Sequence, residues 1–390
     1  MPPAIPGHLL RQGINLMKTP LYEEHRRLGA KMTEFAGWEM PLYYSGVIRE
    51  VTAVRTSAGI FDLSHMGEIF VSGPHALEFL QVLTTNDLSK LQVGKAQYTL
   101  LCSETGGIID DLVIYRLSPD EYMLVVNASN TETDLQWINQ RNRYDAEVHD
   151  RSLETGLIAV QGPKSQDLFQ PLISSDLSKL PRFGVEEGVV GDIRCLIART
   201  GYTGEDGFEL YCRASDCVAL WRLLMDSSEQ YEALSAGLAA RDVLRLEAGY
   251  PLYGNELTLD TTPVDAGLMW VVKLDKGDFI GKEAIQEAMK RGPRRKLVGL
   301  EALDRCVPRH DYEIQANGIN IGRITSGTFS PALGKGIAMA YVDPKFAVEG
   351  TMVEMPLRGK ECKLRMRSTR FYSTVKNTAK TSQPGGSDVS

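Results

Sequence analysis

Residues 96–127 read AQYTLLCSETGGIIDDLVIYRLSPDEYMLVVN. Ala96 to Leu101, Ile108 to Tyr115 and Tyr122 to Asn127 are short runs rich in β-branched and aromatic residues, and the Gly106-Gly107 pair makes a turn between the first two. Upstream, Met66 to Ser72 reads as a strand and Pro74 to Thr84 as an amphipathic helix; downstream, a helix runs from about Thr131 to Asn142. The order is strand, helix, strand, turn, strand, strand, helix. It lacks the regular strand–helix alternation of a doubly wound parallel sheet and predicts an α+β fold.

A similar unit follows, with strands at Leu157 to Gln161, Val189 to Ala198 and Phe208 to Cys212. Helices are expected near Lys164 to Leu172, Cys217 to Met225 and Ala236 to Ala248. Ahead of both units, Leu21 to Lys31 reads as a short helix, Gly37-Trp38 as a turn, and Val47 to Thr56 as a second helix. No period of 20 to 50 residues appears, which excludes a solenoid. Arg291-Gly292-Pro293-Arg294-Arg295-Lys296 is the sharpest break in composition. Beyond it short strands (Lys296 to Glu301, Gly322 to Ile324, Gly336 to Val342, Thr351 to Met355) alternate with Gly/Pro turns, the pattern of a small all-β domain, so a boundary is expected near 292.

The chain has 390 residues, 43% of them hydrophobic, enough for two or three cores. A net charge of −7 argues against the basic footprint that nucleic-acid binding requires. No apolar run approaches the ~20 residues of a membrane span. The six cysteines (Cys102, Cys195, Cys212, Cys217, Cys306, Cys362) show no zinc-ligand spacing, so no metal is expected and all six are expected to be free thiols in a reducing compartment. Residues 1–17 and 377–390, Pro-rich and Gly/Pro/Ser-rich in turn, are expected to be disordered.

Three constellations could carry chemistry. In the first, Asp110 and Asp111 are consecutive on a strand and point to opposite faces, so only one can serve a given site; parity does not say which. In the second, Gly201, Gly204 and Gly207 imply a loop whose backbone lies close to something else. They lead into a strand that places Glu209 and Tyr211 opposite Phe208, Leu210 and Cys212, on a face that is either solvent or site. The spacing is not that of a phosphate-binding glycine fingerprint. In the third, a helical wheel over 237–248 puts Ala239, Val243 and Leu246 on the apolar stripe and Arg241 with Arg245 on another face, where solvation or pairing with Asp/Glu is the usual outcome.

Taken in order, Phe-Ala-Gly-Trp-Glu-Met-Pro-Leu-Tyr-Tyr (35–44), Asp-Leu-Ser-His-Met-Gly (62–67), Gly-Gly-Ile-Ile-Asp-Asp-Leu-Val (106–113), Gly-Tyr-Thr-Gly-Glu-Asp-Gly-Phe-Glu (201–209), Gly-Leu-Ala-Ala-Arg-Asp-Val-Leu-Arg-Leu-Glu-Ala-Gly (237–249) and Ile-Thr-Ser-Gly-Thr-Phe-Ser-Pro (324–331) closely resemble the aminomethyltransferase (T-protein) family of the glycine cleavage system. The resemblance covers roughly Lys18 to Tyr372. It implies a three-domain ring around a central folate channel: two interleaved ferredoxin-like α+β domains over 18–292 and a C-terminal β-barrel domain over 293–376. The implied reaction moves the methylene carbon of an aminomethyl group, carried on the lipoyl arm of H-protein, to tetrahydrofolate, releasing ammonia and 5,10-methylenetetrahydrofolate.

Residue by residue, the resemblance puts Asp111 beside the folate nitrogens as the catalytic group, Glu209 on the two-donor edge of the pterin, and Arg241 as a fixed cation near the ligand. Met66, Tyr98, Tyr115 and Asn127 would line the pocket from one side, with Tyr202, Tyr250 and Trp270 completing it. Tyr372 would reach the folate from the C-terminal end, although Ser373 stands where the family commonly has a basic residue. A folate-dependent demethylase of a methylated amine or sulfonium is the alternative enzyme. A non-enzymatic folate-binding maintenance protein is the alternative of another class; its Lys-Gly-Cys-Tyr-x-Gly-Gln loop is here Arg-Thr-Gly-Tyr-Thr-Gly-Glu (199–205), without the cysteine. A cytoplasmic location is expected, or the mitochondrial matrix in a eukaryote, with H-protein as partner and neither nucleic acid nor membrane.

Overall fold

The computed structural model describes residues 16–357 and 359–373. Most of the terminal segments expected to be disordered therefore lie outside the described residues. The expectation fails at Met17, which pairs with Trp38 in a short parallel contact that joins a three-stranded sheet (Met17–Lys18, Trp38–Tyr43, Lys31–Phe35).

The first large sheet has five antiparallel strands in the order Lys95–Cys102, Ile108–Ser118, Glu121–Val126, Gly67–Ser72, Glu147–Asp150. Alternation decides its two faces. Ile69, Val71, Ile114 and Leu124 pack with Phe79 of the helix Ala76–Leu83 and Ile138 of the helix Thr131–Arg141. The opposite face, with Val113, Tyr115 and Met123, turns toward a second sheet.

That second sheet has the order Val185–Val190, Ile193–Ala198, Gly207–Arg213, Thr155–Gln161, Gly59–Asp62, Leu234–Ser235. Its far face packs on the helices Ser165–Phe169 and Cys217–Ser228 through Ile158, Phe169, Phe208 and Trp221. Its near face presents Phe61, Leu157, Ala159 and Tyr211 to Tyr115, Met123 and Val125 of the first sheet. The strand Gly59–Asp62 precedes every strand of the first sheet yet belongs to the second, so the two units are interleaved along the chain.

The third body is a closed six-stranded barrel, Lys296–Ala302, Lys335–Val342, Ile319–Ser330, Glu313–Ala316, Met352–Leu357 and Lys360–Arg367, filled by Leu300, Ile314, Ile324, Met355 and Leu364. Arg245 ties it to the helix Leu238–Ala248. This side chain is 1% exposed; it donates to Glu256 (2.9 Å), the Tyr250 carbonyl (3.0 Å) and the Ser326 hydroxyl (2.7 Å) of the barrel. A buried ion pair of this kind is costly to break on one side only.

Several local expectations are corrected. The first helix spans only Tyr22–Arg27, and Lys31 already begins a strand. Val189 to Ala198 is not one strand but a hairpin, turned at Gly191 with φ +58°. The strand Lys360–Arg367 and the helix Lys282–Arg291 were not anticipated. Cys306 and Cys362, 56 residues apart, are joined in a disulfide, so four thiols are free and not six.

Candidate active site

The strand Ile108–Ser118 resolves the ambiguity between its two carboxylates. Asp110 shares the helix-facing side with Leu112 and Ile114 and is fully buried; it accepts hydrogen bonds from the Asn127 backbone N–H (3.1 Å), Asn127 Nδ2 (2.8 Å) and Asn130 Nδ2 (2.8 Å). Asp111 is on the other face, half-buried, with Oδ2 accepting from the Tyr98 hydroxyl (2.8 Å) and Oδ1 from Asn127 Nδ2 (3.2 Å). Burial, and then the neighbouring Asp110 charge, push the Asp111 carboxyl up to about 7. Tyr98 in turn stacks on Trp270 at 5.7 Å and 19°, while the outer side of that indole leaves it 62% exposed.

Gly107, just ahead, has to be glycine. A β-carbon there would sit 1.8 Å from the Leu259 carbonyl oxygen, because the segment that sends the Thr261 carbonyl to the Ile108 N–H (2.9 Å) crosses directly over it. Gly107→Ala is therefore expected to cost about 1–3 kcal/mol, since backbone must move to admit the methyl. A thermal melt within a degree of the parent would contradict this packing.

The glycine loop before Glu209 behaves as its spacing implied. Gly201 and Gly207 close around the Gln161 amide; β-carbons there would lie 1.9 and 2.4 Å from its Oε1 and Nε2. Glu209 does not face solvent. It is 9% exposed between the two sheets, where its Oε2 accepts from Tyr115 (3.3 Å) and from the Thr200 hydroxyl, and Tyr211 donates to the Tyr115 oxygen at 3.1 Å. Sequence reasoning placed Tyr211 on the Glu209 face but missed Thr200 and the network. Arg241 feels the Glu209 charge and lies over the Tyr202 ring at 4.9 Å; its buried Nη1 has no hydrogen-bond partner among the described residues. Tyr202 stacks on Tyr250 (5.6 Å, 27°), and its hydroxyl donates to the Pro251 carbonyl.

The expected residues thus form three linked groups. Asp111, Tyr98, Asn127 and Trp270 make one, Glu209 and Tyr115 the second, Arg241 with Tyr202 and Tyr250 the third. Tyr202 is close enough to Asp111 for the carboxylate charge to add to burial in raising its hydroxyl. Met66 packs partly buried at the edge of the inter-sheet core. Tyr372 stands apart from these contacts: the Arg55 guanidinium lies 3.9 Å from its ring centroid, and its N–H donates to the Glu247 carbonyl (2.7 Å). Asp134, fully buried next to Asp110, carried no signal in the sequence. A carboxylate, an unpaired guanidinium N–H and two stacked aromatic pairs suit a planar heterocycle with both donors and acceptors on its edge. Among the described residues, no cluster of His, Cys, Asp or Glu could hold a metal and no helix is long and apolar enough to cross a membrane.

Comparison with known proteins agrees in extent and in architecture. The family described as GCVT N-terminal domain matches residues 21–276, and the glycine cleavage T-protein C-terminal barrel domain matches residues 295–373. An aminomethyltransferase of Symbiobacterium thermophilum is 49% identical over 366 residues, covering 92% of this chain and 98% of its own. One from Bacillus subtilis is 45% identical over 359 residues, covering 92% and 99%. The crystal structure of glycine cleavage system aminomethyltransferase T from Bartonella henselae superposes with a TM-score of 0.86 at 40% identity, over 92% of this chain and 98% of that one. Matched from the first α+β unit through the barrel, this chain belongs to the glycine cleavage T-protein family.

Proposed function

We propose that this chain is a tetrahydrofolate-dependent aminomethyltransferase, which takes the methylene carbon of an aminomethyl group from the lipoyl arm of H-protein, releases ammonia and forms 5,10-methylenetetrahydrofolate. The observation that carries the reading is the buried Glu209 carboxylate near an Arg241 guanidinium whose Nη1 has no partner among the described residues, with the stacked Tyr202 and Tyr250 rings beside it. A pterin edge offers adjacent ring and exocyclic N–H donors to one carboxylate, and a ring acceptor to one guanidinium N–H. Tyr98 with Trp270, and Tyr202 with Tyr250, supply apolar walls that exclude water from a carbon otherwise lost as formaldehyde.

Asp111 has the catalytic role in this reading. The folate gives up two N–H protons as the carbon arrives, and the departing sulfur and nitrogen each take one. A carboxyl pushed up to about 7 can accept a proton and give it back near neutrality. As a carboxylate it orients the attacking nitrogen and stabilises the positive charge that builds on the carbon when the sulfur leaves. The full-length relatives carry the aminomethyltransferase name, and no observation favours the demethylase or the maintenance-protein reading. H-protein is the donor partner and the cytoplasm the expected setting.

Tetrahydrofolate is expected to raise the melting temperature, by the equivalent of roughly 2.7 kcal/mol at a hundredfold excess over Kd. No shift at saturating folate would count against the site. Cross-linking of loaded H-protein should map the lipoyl lysine to the channel mouth near Asp111; a contact far from it would remove the partner from the reading.

A further inference from the structure

One acidic side chain enters the core from the helix Thr131–Arg141. Asp134 is fully buried, and neither of its oxygens receives a hydrogen bond from a donor among the described residues. Its side chain meets Asp110, which is fully buried as well. Two carboxyl groups can hydrogen-bond only when one of them carries a proton, and two charges side by side without water are strongly disfavoured. Asp110 is already served by three N–H donors, from Asn127 twice and from Asn130. Asp134 has none, so the proton resides on Asp134. Burial and the Asp110 charge push its carboxyl up to about 11, which keeps it there throughout the neutral range.

Asn127 connects this buried pair to the site. Its Nδ2 donates to Asp110 Oδ1 at 2.8 Å and also lies 3.1 Å from the Asp111 carbonyl and 3.2 Å from Asp111 Oδ1. We propose that Asp134 is a positioning residue for the transfer reaction: as a neutral acid it donates to Asp110, holds Asp110 as the anion on which Asn127 is anchored, and through Asn127 orients Asp111. The inference rests on the catalytic reading of Asp111. The other titratable groups facing the three carboxyls are Tyr98, Tyr202 and Tyr253, and burial pushes all three hydroxyls up, Tyr253 to about 12, so they stay neutral. Burial pushes the Asp110 carboxyl up as well, against the hydrogen bonds from Asp134, Asn127 and Asn130 that favour its anion; as that anion, Asp110 adds its charge to burial in raising Asp111.

The test is the pH dependence of kcat in full-length variants supplied with saturating tetrahydrofolate and aminomethyl-loaded, lipoylated H-protein. D134N, whose amide N–H donates as the protonated acid does, is expected to stay within about twofold of the parent in kcat, with the same acid-limb midpoint. D134A leaves Asp110 short of a donor, so Asp110 takes up a proton and its charge disappears from beside Asp111. The acid limb should then move about one pH unit lower, a tenfold change in proton affinity, with KM for tetrahydrofolate little altered. D110N removes the same charge without touching the helix, and should move the limb in the same direction even if D134A does not fold. An unmoved limb in D110N and in any folded D134A, or a D134N whose limb moves as far as that of D134A, would make Asp134 a packing residue only. D111N belongs in the same series: if it turned over like the parent, the catalytic reading itself would fail, whereas an inactive D111N beside an unmoved limb would overturn the Asp134 proposal alone.

Discussion

Asp111→Asn is expected to lower turnover by about a hundredfold or more while changing tetrahydrofolate affinity little. The amide keeps the shape and one acceptor for the Tyr98 hydroxyl, which approaches Asp111 at 2.8 Å, but it cannot ionise. What is lost is the charge that assists the transition state, and a charge acts far more strongly in a half-buried site than in water. The parent should also lose activity as the pH falls through about 7, because burial and Asp110 raise the Asp111 carboxyl to that region and only its ionised form serves. The sign for stability is opposite. A carboxyl whose folded-state pKa is raised favours the fold when protonated, and that contribution is lost as pH climbs from the unfolded value toward 7. The Asn variant should therefore melt no lower than the parent at neutral pH, which separates lost chemistry from lost structure. Asp110→Asn, on the helix-facing side, should retain most of its turnover well above the acid limb. Reversed behaviour of the two variants would transfer the catalytic role to Asp110.

Glu209→Ala is expected to weaken tetrahydrofolate binding by at least about thirtyfold, since each pterin donor left buried without an acceptor costs about 1–3 kcal/mol. Tyr115 and Thr200 would lose the same acceptor with or without folate, a cost to stability and not to affinity. Calorimetric titration checks it directly. A dissociation constant equal to the parent's would mean that the carboxylate serves only the inter-sheet network.

Local pattern was enough for several elements whose partners are near in the chain. The helix Val47–Thr56 and the strands flanking Gly106-Gly107 appear close to where periodicity and turn residues put them. It was not enough where the partner is remote. On its own strand Glu209 reads equally as facing solvent or a site, because the sheet that buries it is built from residues 67–150, and nothing local announces that cover. Arg245 looks like a surface arginine until Glu256 and Ser326 arrive from other parts of the fold. The choice between Asp110 and Asp111 needed to know which face of the strand packs on helices, information that alternation alone lacks. The hairpin at Gly191 was hidden in a continuous apolar run, and the Cys306–Cys362 pair could not be inferred from spacing. Asp134 has the appearance of an ordinary acid in the first turn of a helix, a position the helix dipole favours, and only its burial distinguishes it.

The most direct measurement is a coupled assay in which purified protein receives lipoylated, aminomethyl-loaded H-protein and tetrahydrofolate, with ammonia and 5,10-methylenetetrahydrofolate scored together. The two products should appear in equal amounts, both dependent on folate and both lost in Asp111→Asn. Ammonia released without methylenetetrahydrofolate, or no turnover of the loaded H-protein alongside demethylation of a methylated amine or sulfonium, would contradict the assignment.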